Sequence, residues 1–199
     1  MQRKTFDILL TAVGGAVTIV LFVAGGLLMW GYTFAHNNVH DQLAQQQIFF
    51  PPKGSPALAS PEIGPYLNQY AGQQVLTGPQ AQTYANHFIA VHLSEMPYKG
   101  VYSQASAALQ KDPTNTQLQD TVNTIFKGTT LRGLLLEAYG FSVVGQIALV
   151  AGISAFAMGV VMLILTLSGV WHLRKVDPKE TLLHDEASHP EGSQAPAMA

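Results

Sequence analysis

The sequence predicts an all-helical membrane protein, in which a hairpin of two transmembrane helices carries a mostly helical extracytoplasmic domain. Residues 8–35 and residues 138–171 contain no charged side chain. Each stretch exceeds the ~20 apolar residues that a helix needs to cross a bilayer. Residues 36–137, between them, are polar and carry repeated helix signals. Charged residues make up only 11% of the chain, against roughly 25% in soluble domains, which agrees with a membrane protein.

The first apolar segment is predicted to be an uncleaved membrane anchor. It follows a short basic flank with Arg3 and Lys4, as a secretory signal peptide does. The apolar core of a signal peptide is only ~7–15 residues long, however, and this segment is about twice that length. The segment therefore fits a transmembrane helix better than a leader.

The basic residues near the two segments predict the direction of threading. Lys and Arg are enriched on the cytoplasmic side of transmembrane helices. They flank the start of the first segment and recur after the second, at Arg174, Lys175 and Lys179. We therefore expect residues 1–7 and 172–199 to be cytoplasmic and residues 36–137 to be outside. Lys127 and Arg132, which precede the second segment, count against this direction.

Amphipathic aromatic side chains mark the expected membrane boundaries. Trp and Tyr prefer the headgroup level, where one end of the ring system is apolar and the other is wet. The predicted interface anchors are Trp30, Tyr32, Tyr139 and Trp171. The first three lie toward the outer face and Trp171 lies toward the inner face.

Small residues in both segments predict close helix packing. Lipid gives apolar helices no hydrophobic reason to associate, so contact depends on close approach of their backbones. The second segment offers one strip at four-residue intervals and an adjacent strip, and the first segment offers a shorter one. These candidate packing residues are Ala151, Ala155 and Gly159, then Ala148 and Gly152, then Ala12 and Ala16. They predict a seam within the chain or with a partner, although Gly and Ala are also simply common in membrane helices.

Residues 36–137 read as helical. The first helix should continue through Val39 and Leu43 and end before Pro51, because proline disfavours a helical residue before it. Helix starts are predicted at Ser60, at Asp112 and at Thr77, where Gln80 completes a capping-box pattern. Two apolar stripes at helical spacing follow, and a helix stop is predicted at Gly128. The stripes are Tyr84, Phe88 and His92, and Leu118, Val122, Ile125 and Phe126; residues 73–76 are the only strand candidate.

The acidic segment at the end of the chain, residues 176–199, is predicted to be disordered. It contains Pro, Ser, Gly and Ala beside its acidic side chains and too few apolar residues for a core.

Composition excludes several kinds of chemistry. The chain contains no cysteine, which excludes disulfides, thiolate nucleophiles and thiolate metal sites. A net charge of −2 without a Lys/Arg cluster argues against a nucleic-acid partner. No nucleophile elbow, phosphate-binding loop or H-E-x-x-H motif is present. The sequence therefore predicts no catalytic site and no cofactor.

The histidines offer the one alternative to a protein without a metal or catalytic site. His36 and His40 lie four residues apart and would share a face of a continuing helix, while His92 and Glu95 lie three apart, with His87 on another face. Two histidines and a carboxylate can hold non-haem iron. Membrane-proximal histidines that bind only water, headgroups or backbone carbonyls explain the same pattern. We therefore predict no metal site and keep these five residues as candidates.

Several phrases of the sequence resemble a group of two-span membrane proteins of actinobacteria. They are His40-Asp41-Gln42-Leu43, residues 47–54 (QIFFPPKG), residues 85–92 (ANHFIAVH) and residues 130–140 (TLRGLLLEAYG). The group has no established activity, and some members carry an automatic label as aromatic ring-opening dioxygenases. The resemblance implies a bacterial plasma membrane location. The residues themselves lend the dioxygenase label only the histidine arrangements described above.

These observations predict a non-enzymatic integral membrane protein, an accessory subunit or scaffold of a larger membrane or envelope complex. Its expected partners are the lipid bilayer and another membrane protein or a second copy of itself. The alternative is a metal-binding protein or metal-dependent enzyme that uses the membrane-proximal histidines. A transporter or channel would need many copies, because two apolar helices enclose no pore.

Overall fold

The computed structural model describes residues 3–175, in which every regular element is a helix. Two of them are long: α1, Arg3–Gln46, has 44 residues and α6, Thr116–Leu173, has 58. The four short α-helices between them are α2 (Gly64–Leu67), α3 (Gly78–Tyr84), α4 (Ala90–Glu95) and α5 (Tyr102–Lys111). The all-helical fold class is thus confirmed for the described residues. The predicted disorder of the acidic segment concerns residues 176–199, which lie outside them.

Both long helices are long and apolar enough to cross a membrane. At ~1.5 Å per residue, α1 extends about 66 Å and α6 about 87 Å, against a hydrocarbon core of ~30 Å. A membrane span would therefore use only part of each helix. The rest of each helix is free to pack against other parts of the chain.

Tight turns join the short helices. They include 3₁₀ turns at Pro56–Ala59, Asn68–Tyr70 and Pro97–Gly100, and a π-helical turn, Ala85–Ile89, between α3 and α4. The strand candidate at residues 73–76 forms only an isolated antiparallel bridge between Gln74 and Phe49. In this bridge the Phe50 amide donates to the Gln73 carbonyl at 2.9 Å.

Local signals predicted several helix ends. α1 continues through Val39 and Leu43, and ends at Gln46 before a left-handed Gln47 with φ of 52°. The capping box of α3 is confirmed: the Thr77 side chain accepts from the Gln80 amide, and the Gln80 side chain accepts from the Thr77 amide. The end of α1 and the start of α3 each depend on residues that are close together in the sequence. A sequence pattern can therefore predict them.

The predicted stop at Gly128 is wrong, because α6 passes through it without a break. A glycine inside a helix costs only ~1 kcal/mol relative to alanine, which tertiary packing offsets. A Cβ atom on Gly128 would lie 2.9 Å from Cδ2 of Leu93, so glycine here permits a close approach. The start of α6 is capped by Asn115, whose Oδ1 accepts from the Leu118 amide at 3.0 Å; the Asp112 signal lies one turn earlier.

The described chain divides into two compact units. Within the described residues, the first comprises residues 3–25 with 154–175, and the second comprises Gly26–Ile153. The second unit holds the main hydrophobic core, to which α1, α6 and the short elements between them contribute. The buried side chains of this core are those of Val39, Leu43, Phe50, Leu58, Ile63, Leu67, Val75, Ala81, Ala85, Ile89 and Leu135.

Candidate functional site

The apolar stretches of both long helices are largely uncovered by the other described residues. Only 11% of the most apolar window of α1 and 17% of that of α6 is buried. Large side chains such as Ile19 and Ile164 are 66% and 59% exposed. Soluble proteins rarely expose contiguous apolar surface of this extent, so these faces require lipid or a partner to cover them.

In the first unit, α1 and α6 approach each other through small residues. A Cβ atom on Gly14 would lie 2.9 Å from Oγ1 of Thr166, and one on Gly169 would lie 2.8 Å from Oγ1 of Thr11. The neighbouring Thr18 is 5% exposed, and its hydroxyl donates to the Gly14 carbonyl at 2.8 Å. Close backbone approach here depends on glycine and threonine, which is also typical of membrane helix pairs.

The predicted packing residues fall on different sides of the helices. Gly152, Ala155 and Gly159 are buried, while Ala148 and Ala151 are partly buried. Ala12 and Ala16 are exposed, so they lie away from the contact that α1 makes with α6 in the first unit. Their predicted role in packing remains a prediction.

In the second unit, two further glycines bring α1 and α6 together. A Cβ atom on Gly145 would lie 3.0 Å from the Cβ of Ala35, and one on Gly152 would lie 3.2 Å from Sδ of Met29. Gly145 and Gly152 lie seven residues apart, a spacing typical of residues on one face of a helix that packs against another helix. Sequence reasoning, which considered four-residue intervals, did not predict the contact at Gly145.

The four predicted interface anchors are at least partly accessible. Trp30 is 68% exposed and stacks on Phe34 with ring centroids 5.8 Å apart. Trp171 is 63% exposed, and Nζ of Lys175 lies 3.6 Å from its ring centroid in a cation–π contact. Tyr32 and Tyr139 are partly buried. Their placement at a membrane boundary remains a prediction.

Each candidate metal-ligating histidine has a partner of its own. His36 contacts the Tyr32 ring at 5.8 Å, and Nδ1 of His40 lies 3.2 Å from Oδ1 of the adjacent Asp41. Nδ1 of His92 lies 2.8 Å from the carbonyl oxygen of Phe88. No group of three or more His, Cys, Asp or Glu in residues 3–175 could hold a metal ion, and Glu95 is exposed without joining such a group.

His87 lies in the π-helical turn and stacks face to face on Tyr66. The ring centroids are 3.5 Å apart and the planes are inclined by 10°. π-helical turns often occur at functional positions, since the extra residue re-aims the side chains that follow it. Here the turn directs His87 toward α2, where Tyr66 covers one face of the imidazole.

A run of aromatic rings connects the core of the second unit to its surface. Phe50, Tyr84, Phe88 and His92 follow one another with centroid distances of 5.4, 4.8 and 4.5 Å. The predicted face shared by Tyr84, Phe88 and His92 is thus confirmed. Burial in this apolar surrounding raises the pKa of the Tyr84 phenol above its ordinary value of 10.0.

Arg132 of α6 is held by a neutral partner. Its Nη2 donates to Oδ1 of Asn86 at 3.1 Å, while its Nε is buried and has no hydrogen-bond partner among the described residues. Guanidinium groups in partly buried positions are usually paired with carboxylates. The contact therefore links α6 to the π-helical turn without neutralising the charge.

An exposed aromatic patch lies where α5 packs on α6. A small core of Ala105, Val122 and Ile125 joins α5 to α6. Beside it, Tyr102 and Phe126 are 42% and 54% exposed, with ring centroids 5.6 Å apart. The apolar stripe of the sequence included Phe126 with Val122 and Ile125, but α5 covers only the latter two.

Val101, 40% exposed, extends this surface. We call Val101, Tyr102 and Phe126 the aromatic patch. Sequence reasoning missed it because Val101 and Tyr102 carry no pattern of their own. Only the packing of α5 on α6 brings these residues to Phe126.

Comparison with known proteins adds no assignment: no family model, no curated protein and no solved structure matches this chain.

Proposed function

We propose that this protein is a non-enzymatic integral membrane protein that serves as an accessory subunit or scaffold of a larger membrane assembly. It lies in the bacterial plasma membrane with both termini cytoplasmic, and the region between its two spans is extracytoplasmic. The partner is another membrane protein or a second copy of this chain. Lipid covers the remaining apolar faces of α1 and α6.

The aromatic patch carries this proposal. Tyr and Phe side chains bury roughly 150–250 Å² each when fully covered, and apolar burial stabilises by about 25 cal/mol per Å². Tyr102 and Phe126 leave about half of that area in water. Aromatic side chains at the centre of an interface commonly dominate binding, so a partner that covers this patch gains affinity from both rings.

The exposed alanines of α1 support the same proposal within the span. Ala12 and Ala16 lie four residues apart and are both exposed. Small side chains at this spacing allow a neighbouring helix to approach the backbone closely. Because the contact between α1 and α6 uses Gly14 and Thr18 instead, this strip is free for a helix of the partner.

Gentle extraction tests the proposal. Wild-type protein and the double variant Tyr102→Ser/Phe126→Ser are extracted in a mild detergent and purified, and co-purifying proteins are quantified by mass spectrometry. We expect a defined partner at fixed stoichiometry with wild type, and at least a tenfold lower yield of it with the double variant. Gln104→Ser, an exposed change on α5 outside the patch, should retain the partner.

Two outcomes contradict the proposal. One is a lone monomer under all mild conditions, which would leave the accessory role without a complex. The other is equal recovery of every co-purifying protein with both variants, which would remove the patch as the docking surface. The mass of the purified complex distinguishes a second copy from a different protein.

A further inference from the structure

The second unit contains a groove between α1 and α6, with a cavity volume of about 350 Å³. This lies at the lower end of the range for small-molecule sites, roughly 300–1,000 Å³. The groove extends from Asn38 to Gln46 on α1, which corresponds to about 12 Å along the helix. None of the predicted sites and no part of the aromatic patch lies in it.

The two rims of the groove differ in chemistry. Three amides on successive turns of α1 form one rim: Asn38, Gln42 and Gln46. The other rim belongs to α6 and is apolar, with Leu134 and Phe141 at 58% and 40% exposed. The floor is made of the buried side chains of Val39, Leu43 and Leu135, so a ligand meets hydrocarbon below and hydrogen-bond donors along one side.

Aromatic rings link the groove to the apolar stretch of α1. Phe141, on the rim, contacts Phe34 edge-on with centroids 6.4 Å apart, and Phe34 stacks on Trp30. Both Trp30 and Phe34 are largely exposed, at 68% and 51%. Aromatic surface therefore extends from the apolar stretch of α1 to the rim of the groove, which gives a hydrocarbon chain an apolar path toward it.

We propose that this groove binds a membrane lipid from the leaflet next to the central region, with part of one acyl chain against Leu134 and Phe141. The side-chain amides of Asn38, Gln42 and Gln46 then donate to the ester carbonyl oxygens of the lipid. The amide of Gln42 already donates to Oδ1 of Asn38 at 2.8 Å, which orients both groups. The NH2 group of Asn38 and the second amide hydrogen of Gln42 then serve the ligand.

The charge of the lining selects the headgroup. Among residues 3–175, Glu137 is the only charged residue that lines the groove, and it is exposed at the rim. A carboxylate repels an anionic headgroup and attracts the ammonium of a zwitterionic one. The bound lipid is therefore zwitterionic, such as a phosphatidylcholine or phosphatidylethanolamine, rather than an anionic phosphatidylglycerol.

This inference depends on the membrane location in the proposed function, and photocrosslinking tests the two separately. Full-length protein is reconstituted in vesicles that contain phosphatidylcholine with a diazirine near the carboxyl end of one acyl chain. After irradiation, the labelled residues are located by mass spectrometry. Label on exposed span residues such as Val144 and Ile147 reports the membrane location, and label on residues 38–48 and 131–141 reports the groove.

Filling the groove should remove only the second signal. We expect Ala138→Phe, which adds a ring to the lining, to lower groove labelling at least threefold while span labelling persists. Ile153→Phe, at a span position that is 56% exposed and outside the lining, should leave both signals unchanged. Leu134→Asn, on the exposed rim, should also lower groove labelling. It replaces Ala138→Phe as the test variant if that substitution disturbs folding.

Three results would overturn the lipid site. The first is groove labelling that persists in both groove variants. The second is span labelling without groove labelling in wild type. The third is a crosslink between two copies of the chain across the groove, which would make the occupant a protein. Equal groove labelling by a matched phosphatidylglycerol probe would overturn the headgroup preference.

Discussion

Gly78, at the start of α3, lies so close to Ser142 of α6 that a Cβ atom on Gly78 would overlap the Ser142 side chain. The same atom would lie 3.3 Å from Cα of Tyr139, a backbone atom that cannot rotate away. The Thr77–Gln80 capping box sets the direction in which α3 leaves this contact. The first turn of α3 is therefore held directly against α6.

Gly78→Ala should destabilise the protein. Overpacking a tight site costs about 1–3 kcal/mol, and a chain of this size loses roughly 2–4 °C of melting temperature per kcal/mol. Thermal melting of the purified protein in detergent measures the change. Gly133→Ala is the matched control, because a Cβ atom on Gly133 meets nothing within 4 Å and alanine favours a helix by about 1 kcal/mol. A variant at Gly78 as stable as the control would contradict the contact.

Two glycines on α6 should respond differently to the same substitution. A Cβ atom on Gly145 would lie 3.0 Å from the Cβ of Ala35, which has no rotamer to change, whereas one on Gly159 would lie 3.4 Å from Cζ of Phe22, an ordinary contact. Gly145→Ala should therefore lower the melting temperature. Gly159→Ala should leave it unchanged or raise it, since the gain in helix propensity is then unopposed. The reverse order would argue against these helix contacts.

Replacing the neutral partner of Arg132 should change stability in a salt-dependent way. Asn86→Asp places a carboxylate where the guanidinium now has only an amide, and hydrogen bonds between charged groups contribute about 1.5–3 kcal/mol. We expect a higher melting temperature at neutral pH. The gain should shrink at high salt and as pH falls through the ordinary carboxyl range, near 4.

Asn86→Leu tests the same contact in the other direction. It leaves Nη2 and Nε of Arg132 without a partner and should destabilise the protein by about 1–3 kcal/mol. The double variant Asn86→Leu/Arg132→Met should recover part of that loss, because no buried donor is then left unpaired. No recovery in the double variant would show that the loss comes from packing alone.

The raised pKa of Tyr84 predicts a loss of stability in alkali. Burial favours the neutral phenol in the folded protein, so the unfolded chain releases its proton first as pH rises past 10.0. The contribution of the neutral Tyr84 phenol to stability is complete below pH 10.0. It disappears as pH rises through the higher pKa of the folded state. Melting temperatures measured on either side of pH 10 should fall less steeply for Tyr84→Phe, which keeps the ring contacts with Phe50 and Phe88. Identical slopes would contradict the assignment to Tyr84.

Local chemistry in the sequence predicted the features that depend on neighbouring residues. The two charge-free stretches correspond to the apolar parts of α1 and α6, and the Thr77–Gln80 pattern forms its capping box. The lengths of α1 and α6 were not predictable in this way. Gly128 suggested a stop, yet the Leu93 side chain packs against it and the helix continues.

Sequence reasoning did not predict the features that depend on how each helix is rotated about its own axis. Ala12 and Ala16 look as suitable for a helix contact as Gly14 and Thr18, but only packing decides which face of α1 meets α6. The exposure of Phe126 likewise depends on how far α5 extends across α6. The groove needs both helices and Ile48 at once, and no single segment of the sequence carries a signal for it.

The absence of cysteine from the chain makes the proposed threading directly testable with single-cysteine variants. Gln104→Cys, on exposed α5, should react with a membrane-impermeant maleimide in intact cells. Thr5→Cys, at the exposed start of α1, should react only after permeabilisation, because the positive-inside rule places it in the cytoplasm. Val20→Cys should resist labelling in both conditions, since a thiol in hydrocarbon does not ionise to the reactive thiolate. Labelling of the first two variants from the same side would exclude α1 as a span, and labelling of Gln104→Cys only after permeabilisation would exclude the extracytoplasmic position of the aromatic patch.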